Sequence, residues 1–117
     1  MAGKRTKFLY MLGQLYRFCE DADIEIIVFT FYRSPADQEQ EFIKGKSKIK
    51  ENGPHQFWLA QDIAIVENGK ALFDDSSETR KKYQMLGEFW KSLDPQAVWG
   101  GDFKSLDDIY HFELKRI

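Results

Sequence analysis

Cysteine is nearly absent. The 117 residues include one, Cys19, so an internal disulfide is excluded, and its place in an apolar helical stripe marks it as a packed thiol. No apolar run approaches the length of a membrane span. The basic start Met1-Ala2-Gly3-Lys4-Arg5 leads into Leu9-Tyr10-Met11-Leu12-Gly13-Gln14, too broken by polar residues to form a signal-peptide core. The expectation is therefore synthesis in the cytoplasm, with work outside the cell reached through lysis or another export route. Charge of one sign is also missing. A net charge of -2 with scattered Lys and Arg leaves no electrostatic footprint for nucleic acid. What is present is 43% hydrophobic and 31% charged residues, the balance of a soluble globular chain. The length is close to the commonest domain size, so one domain over residues 1–117, acting as a monomer, is expected.

Phe8, Leu12, Leu15, Tyr16 and Cys19 fall at helical spacing and predict an amphipathic helix over about residues 6–20, ended by Asp21-Ala22-Asp23. Ile24-Glu25-Ile26-Ile27-Val28-Phe29-Thr30 is a β-branched and aromatic run of strand length. Being apolar almost throughout, it reads as a central strand. Ser34-Pro35-Ala36-Asp37 has an N-cap serine, proline at the first helical position and an acid three residues after the cap, and Gly45 stops the helix it starts. Residues 46–54 are polar and turn-rich and read as a surface loop.

Asp62-Ile63-Ala64-Ile65-Val66 and Ala71-Leu72-Phe73 flank Glu67-Asn68-Gly69-Lys70, and the Asn-Gly pair predicts a hairpin. Tyr83, Leu86, Trp90 and Leu93 predict another helix, closed by Asp94-Pro95. Ile109 to Leu114 alternates, with Tyr110, Phe112 and Leu114 on one face and Ile109, His111 and Glu113 on the other. Trp90 and Trp99 read as core residues. Helices mixed with hairpin strands give an α+β fold.

There are two histidines, and each lies near a carboxylate: His55 with Asp62 seven residues on, and His111 with Asp108 three residues before it. A catalytic zinc commonly takes three protein ligands from His and Asp/Glu and leaves a fourth position open. Spacing alone allows two readings, a metal site or a solvated histidine beside a turn aspartate.

The flanking residues decide between them. His55-Gln56-Phe57-Trp58-Leu59-Ala60-Gln61-Asp62 resembles the first metal motif of the M15 family of zinc D,D-carboxypeptidases and L-alanyl-D-glutamate endopeptidases, with His55, Ala60 and Asp62 matching. Trp99-Gly100-Gly101, then Asp108, two residues and His111-Phe112, is similar to the second motif of that family's phage endolysin branch. Tyr32-Arg33-Ser34 with Gln38 is similar to its arginine-containing corner before a helix.

The resemblance implies a small antiparallel sheet with helices packed on it, the D,D-peptidase or hedgehog-like zinc fold. It further implies zinc held by His55, Asp62 and His111, with Asp108 as the carboxylate that moves the proton of the attacking water. Arg33 and Gln38 would bind the substrate, a peptidoglycan stem peptide, the planar fork of arginine suiting a peptide carboxylate. Asp107 is a rival to Asp108, and Glu113 shares a face with His111 and either orients it or is solvated. Three departures stand out. Gly53 replaces a serine common in relatives, Trp58 a glycine, and Tyr110 a proline. The activities open at this point are an endolysin-like L-alanyl-D-glutamate endopeptidase, a D,D-carboxypeptidase, and a zinc-stabilised binding domain without catalysis.

Overall fold

The apolar stripe of the N-terminal segment forms helix α1, Lys4–Asp21, in a computed structural model that describes residues 3–30, 58–104 and 107–115. Phe8, Met11, Leu12, Leu15 and Cys19 are its buried residues. Asp23 takes a left-handed φ of 57° at its end. There the amide of Ile24 bonds the carbonyl of Cys19 at 2.8 Å and that of Asp23 the carbonyl of Glu20 at 3.2 Å, which closes the helix as a Schellman turn. The helix predicted from Ser34 and the loop at 46–54 lie outside the described residues.

Strands β1 (Glu25–Thr30), β2 (Ala60–Glu67), β3 (Lys70–Ala71), β4 (Ala97–Trp99) and β5 (His111–Leu114) form one sheet. Its order is β1-β2-β5-β4, with β3 also on β2, and every pairing is antiparallel. The hairpin forms as its sequence predicts. Asn68 and Gly69 both take positive φ, 53° and 75°, the backbone that a tight two-residue connection demands.

The expectation of a central strand at residues 24–30 is corrected. Among the described residues β1 pairs with β2 alone, and Ile27, Val28 and Phe29 are exposed. The centre belongs to β2, which has β1 on one edge and β3 and β5 on successive stretches of the other, and is buried on both faces. An apolar run of strand length marks a strand, but its neighbours in the sheet set its burial.

Helix α2, Ser77–Ser92, is capped by Ser76, whose side chain accepts from the amide of Thr79. It packs beside α1 through a Phe18–Phe89 stack and an edge-on Phe8–Trp90 contact. Ile63, Ile65, Phe112 and Leu114 join the same apolar cluster from the sheet. Trp90 and Trp99 are buried, as expected of core residues, and so is the Cys19 thiol. No helix among the described residues is long and apolar enough to cross a membrane.

Candidate metal centre

Strand alternation sorts the two faces of the sheet. Ile63, Ile65, Phe112 and Leu114 meet the helices, so Asp62 and His111 project from the opposite face. The register makes them direct cross-strand partners, Asp62 on β2 opposite His111 on β5. At the other edge of β2, β1 carries a bulge: Val28 opposes Ile63 and Thr30 opposes Asp62. Phe29 is left as the extra residue, and such bulges are common beside active sites.

Asp108 reaches the pair from the segment before β5. Residues 109–110 form a turn rather than a continuation of the strand, closed by the His111 amide on the Asp108 carbonyl at 3.1 Å. The amide of Asp108 bonds the carbonyl of Gly100 at 2.9 Å. Gly100 is needed for this approach, because a Cβ there would stand 2.2 Å from the Asp108 carbonyl oxygen and 2.8 Å from the His111 Cβ. Gly87 and Gly101 each pack on the Trp99 ring, where a Cβ would come within 2.3 Å of its atoms. The indole Nε1 of Trp99 donates to the carbonyl of Ile109 at 2.8 Å. The Trp-Gly-Gly run is thus a fitted seat for the loop that carries Asp108.

Arg80 fastens the same corner from α2. It donates to the Gly101 carbonyl at 2.7 Å and pairs with Asp107 at 2.5 Å. That pairing separates the two adjacent aspartates: Asp107 faces Arg80, and Asp108 faces Asp62 and His111. Where relatives have proline, the Tyr110 amide donates to Asp108 Oδ1 at 3.2 Å, a bond that proline has no N–H to make.

One ligand atom from each of Asp62, Asp108 and His111 lies within 4.8 Å of the other two. Asp62 and His111 are buried. Burial by itself disfavours a charged His111 ring, but hydrogen bonds to Asp62 and Glu113 and the charges of both outweigh it and hold the ring's pKa up at about 9. Metal ligation requires the neutral ring, so ion uptake displaces that proton.

The donor set fits a divalent ion. Ligands about 2.0–2.1 Å from a tetrahedral zinc stand about 3.3–3.4 Å apart, and His111 Nδ1 lies 3.3 Å from Asp62 Oδ1. Imidazole with carboxylate is a usual zinc set. The other ring nitrogen, Nε2, lies 2.6 Å from Glu113 Oε1, and the Phe103 ring stands 5.7 Å from the imidazole. The Phe103 contact has no local sequence signal, and Gly100 is marked in the sequence only as part of the M15-like Trp-Gly-Gly run; why each is there depends on where the loop lands.

Of the residues singled out from sequence, the structure brings Asp62, Asp108 and His111 together. His55, Arg33 and Gln38, with Gly53, lie outside the described residues. Trp58, where relatives carry glycine, takes a left-handed φ of 60°. A glycine adopts such a backbone without the steric cost that a side chain incurs.

The fold and this arrangement define an α+β domain with a candidate divalent-metal centre on one face of its sheet. The chain belongs to the M15 peptidases: residues 47–114 match the family model described as D-alanyl-D-alanine carboxypeptidase. Among solved structures it is similar to the L-Ala D-Glu endopeptidase ChiX of Serratia marcescens, with a TM-score of 0.75 and 19% identity, over 94% of this chain and 79% of that one. It is also similar to VanY, a vancomycin-resistance D,D-pentapeptidase from a VanB-type cassette, solved as a point mutant with Zn(II). There the TM-score is 0.64 and the identity 13%, over 92% of this chain and 70% of that one.

Proposed function

We propose that this chain is a zinc peptidase that hydrolyses peptidoglycan stem peptides, cutting between L-Ala and D-Glu in the manner of the phage endolysin branch. The observation that carries the reading is the convergence of Asp62, Asp108 and His111 on one buried spot of the sheet face opposite the helices. Asp62 and His111, with His55, hold the ion. A zinc ion there supplies Lewis acidity, polarising the scissile carbonyl and acidifying the attacking water. Asp108 takes the proton from that water and passes it to the leaving amine, a task for a carboxylate within reach of the reacting atoms. Its seat, fixed by Gly100, Tyr110 and the Trp99 anchor, keeps it beside the ligands. Arg33 binds the peptide's carboxylate through its planar fork, assisted by Gln38.

The endopeptidase is favoured over the D,D-carboxypeptidase by the likeness to ChiX, which is greater in TM-score and in coverage than that to VanY. The enzyme acts on the wall after release from the cell that makes it, a phage-infected host on this reading.

The test is digestion of purified peptidoglycan with and without a chelator, with mass spectrometry of the fragments. Chelator-sensitive release of fragments with D-Glu at the new amino terminus, restored by zinc, is the expected result. Free D-Ala instead identifies the carboxypeptidase. A protein that binds zinc and releases nothing is a binding domain.

A further inference from the structure

We infer that Glu113 is a positioning residue for the metal centre: its carboxylate fixes the His111 ring so that Nε2 carries the proton and Nδ1 presents its lone pair toward Asp62. The inference rests on the metal reading above and adds a residue to it.

A neutral imidazole has one N–H donor and one acceptor nitrogen, whereas an ionised carboxylate only accepts. At 2.6 Å the contact between Nε2 and Glu113 Oε1 is short even for a charge-assisted hydrogen bond. The nitrogen that faces Glu113 is therefore the donor. In the neutral ring this leaves Nδ1 as the acceptor, and it faces a second acceptor, Asp62 Oδ1, 3.3 Å away. Two lone pairs directed at each other in a buried place repel unless a cation or proton lies between them. Glu113 thus turns the His111–Asp62 pair into a cation seat. A carboxylate behind a ligating histidine is a recurrent means of fixing ring orientation and raising ligand basicity.

The backbone of Glu113 is held well enough for this task. It is paired on both sides, with Ala60 on β2 and Val98 on β4. Its carbonyl accepts from the Trp90 indole at 3.0 Å, which ties it to the apolar core. The Glu113 side chain is mostly buried, so water competes weakly for its oxygen.

The experiment uses the full chain loaded with zinc and labelled with 15N-histidine, His111 being assigned by comparison with His55→Gln. Long-range 15N–1H spectra should show His111 protonated at Nε2 and metal-shifted at Nδ1. Competition with a chromogenic chelator should show zinc held about 10- to 100-fold more weakly by Glu113→Leu. Glu113→Gln, which keeps an acceptor oxygen and the same shape, should fall between the two and retain the tautomer. Zinc bound as tightly by Glu113→Leu as by the wild type, or a wild-type ring without a proton on Nε2, overturns the inference while the metal reading stands. A wild type that takes up no zinc, or a His111→Ala variant that binds it equally well, overturns both.

Discussion

Phe112 and Leu114 extend from β5 into the layer formed by α1 and α2, whereas His111 and Glu113, alternating with them on the same strand, face the polar side where Asp62 and Asp108 converge. The apolar side is continuous: Trp90 touches Phe8 and Phe112 edge-on, and Phe18 stacks on Phe89. Stability there is spread over many non-directional contacts. The polar side relies on a few directed ones, the bonds of His111 to Asp62 and Glu113 and the Asp108 turn seated on Gly100. One strand therefore packs the core on one side and places the candidate metal centre on the other, and the two should fail separately.

The largest separation is expected from Asp108→Ala. On the proposed mechanism it should lower peptidoglycan hydrolysis by about 10²- to 10⁴-fold with zinc content and circular dichroism unchanged. Retained activity would remove Asp108 from its role.

Trp90→Ala tests the opposite side. Loss of a fully buried indole should cost about 3–5 kcal/mol in urea unfolding. Enzyme that remains folded should lose far less activity than Asp108→Ala, since among the described residues the indole reaches the site only through its bond to the Glu113 carbonyl. A loss of only a few tenths would show that the core repacks.

Gly100→Ala probes the seam between the sides. Its Cβ must displace the Asp108 carbonyl, and overpacking of this kind costs about 1–3 kcal/mol. Activity should fall by more than stability explains, and a wild-type rate would show that the seat tolerates a shift.

Trp58→Gly should raise stability by about 1 kcal/mol, because the left-handed backbone is strained for any residue with a side chain. A lower melting temperature would mean that the indole contributes more than its backbone costs.

The smallest effect is expected at a carboxylate remote from the site. Hydrogen bonds from Ser76 and Thr79 hold the exposed Asp74 carboxyl down at about 2. A depressed folded-state value means a contribution that is complete above the unfolded value of about 3.9 and lost as pH falls toward about 2. The urea midpoints of wild type and Asp74→Asn should differ at pH 6 and converge by pH 2. A difference independent of pH would refute the assignment.

Local signals carried much of this. The stripe of Phe8, Leu12, Leu15 and Cys19 gave α1, Asn68-Gly69 gave the hairpin, and the spacing of Tyr83, Leu86 and Trp90 gave α2. Those features depend on neighbours in the chain, and the chain displays them. The strand at Glu25–Thr30 was legible as a strand but not as one that, among the described residues, pairs on one side only, since the composition of a strand does not say which partners flank it. For the candidate site, the residue types and their M15 spacing singled out Asp62, Asp108 and His111. The choice of Asp108 over Asp107 rested on that spacing, and the Arg80–Asp107 pair supplies its physical basis.

By itself, then, the sequence determined α1, α2, the hairpin and the apolar side of β5, and singled out three residues whose types suit a metal, because periodicity and capping act over a few residues. Only the tertiary structure decided that β2 sits at the centre, that Asp62 lies opposite His111, that Gly100 gives way to the Asp108 carbonyl, and that Glu113 meets His111 Nε2. Those contacts follow from the sheet register and from where the 107–110 segment lands on the Trp99 ring. Asp62 and His111 are 49 positions apart, where no local pattern reaches, and the shorter-range contacts of Gly100 and Glu113 form only once that register is set.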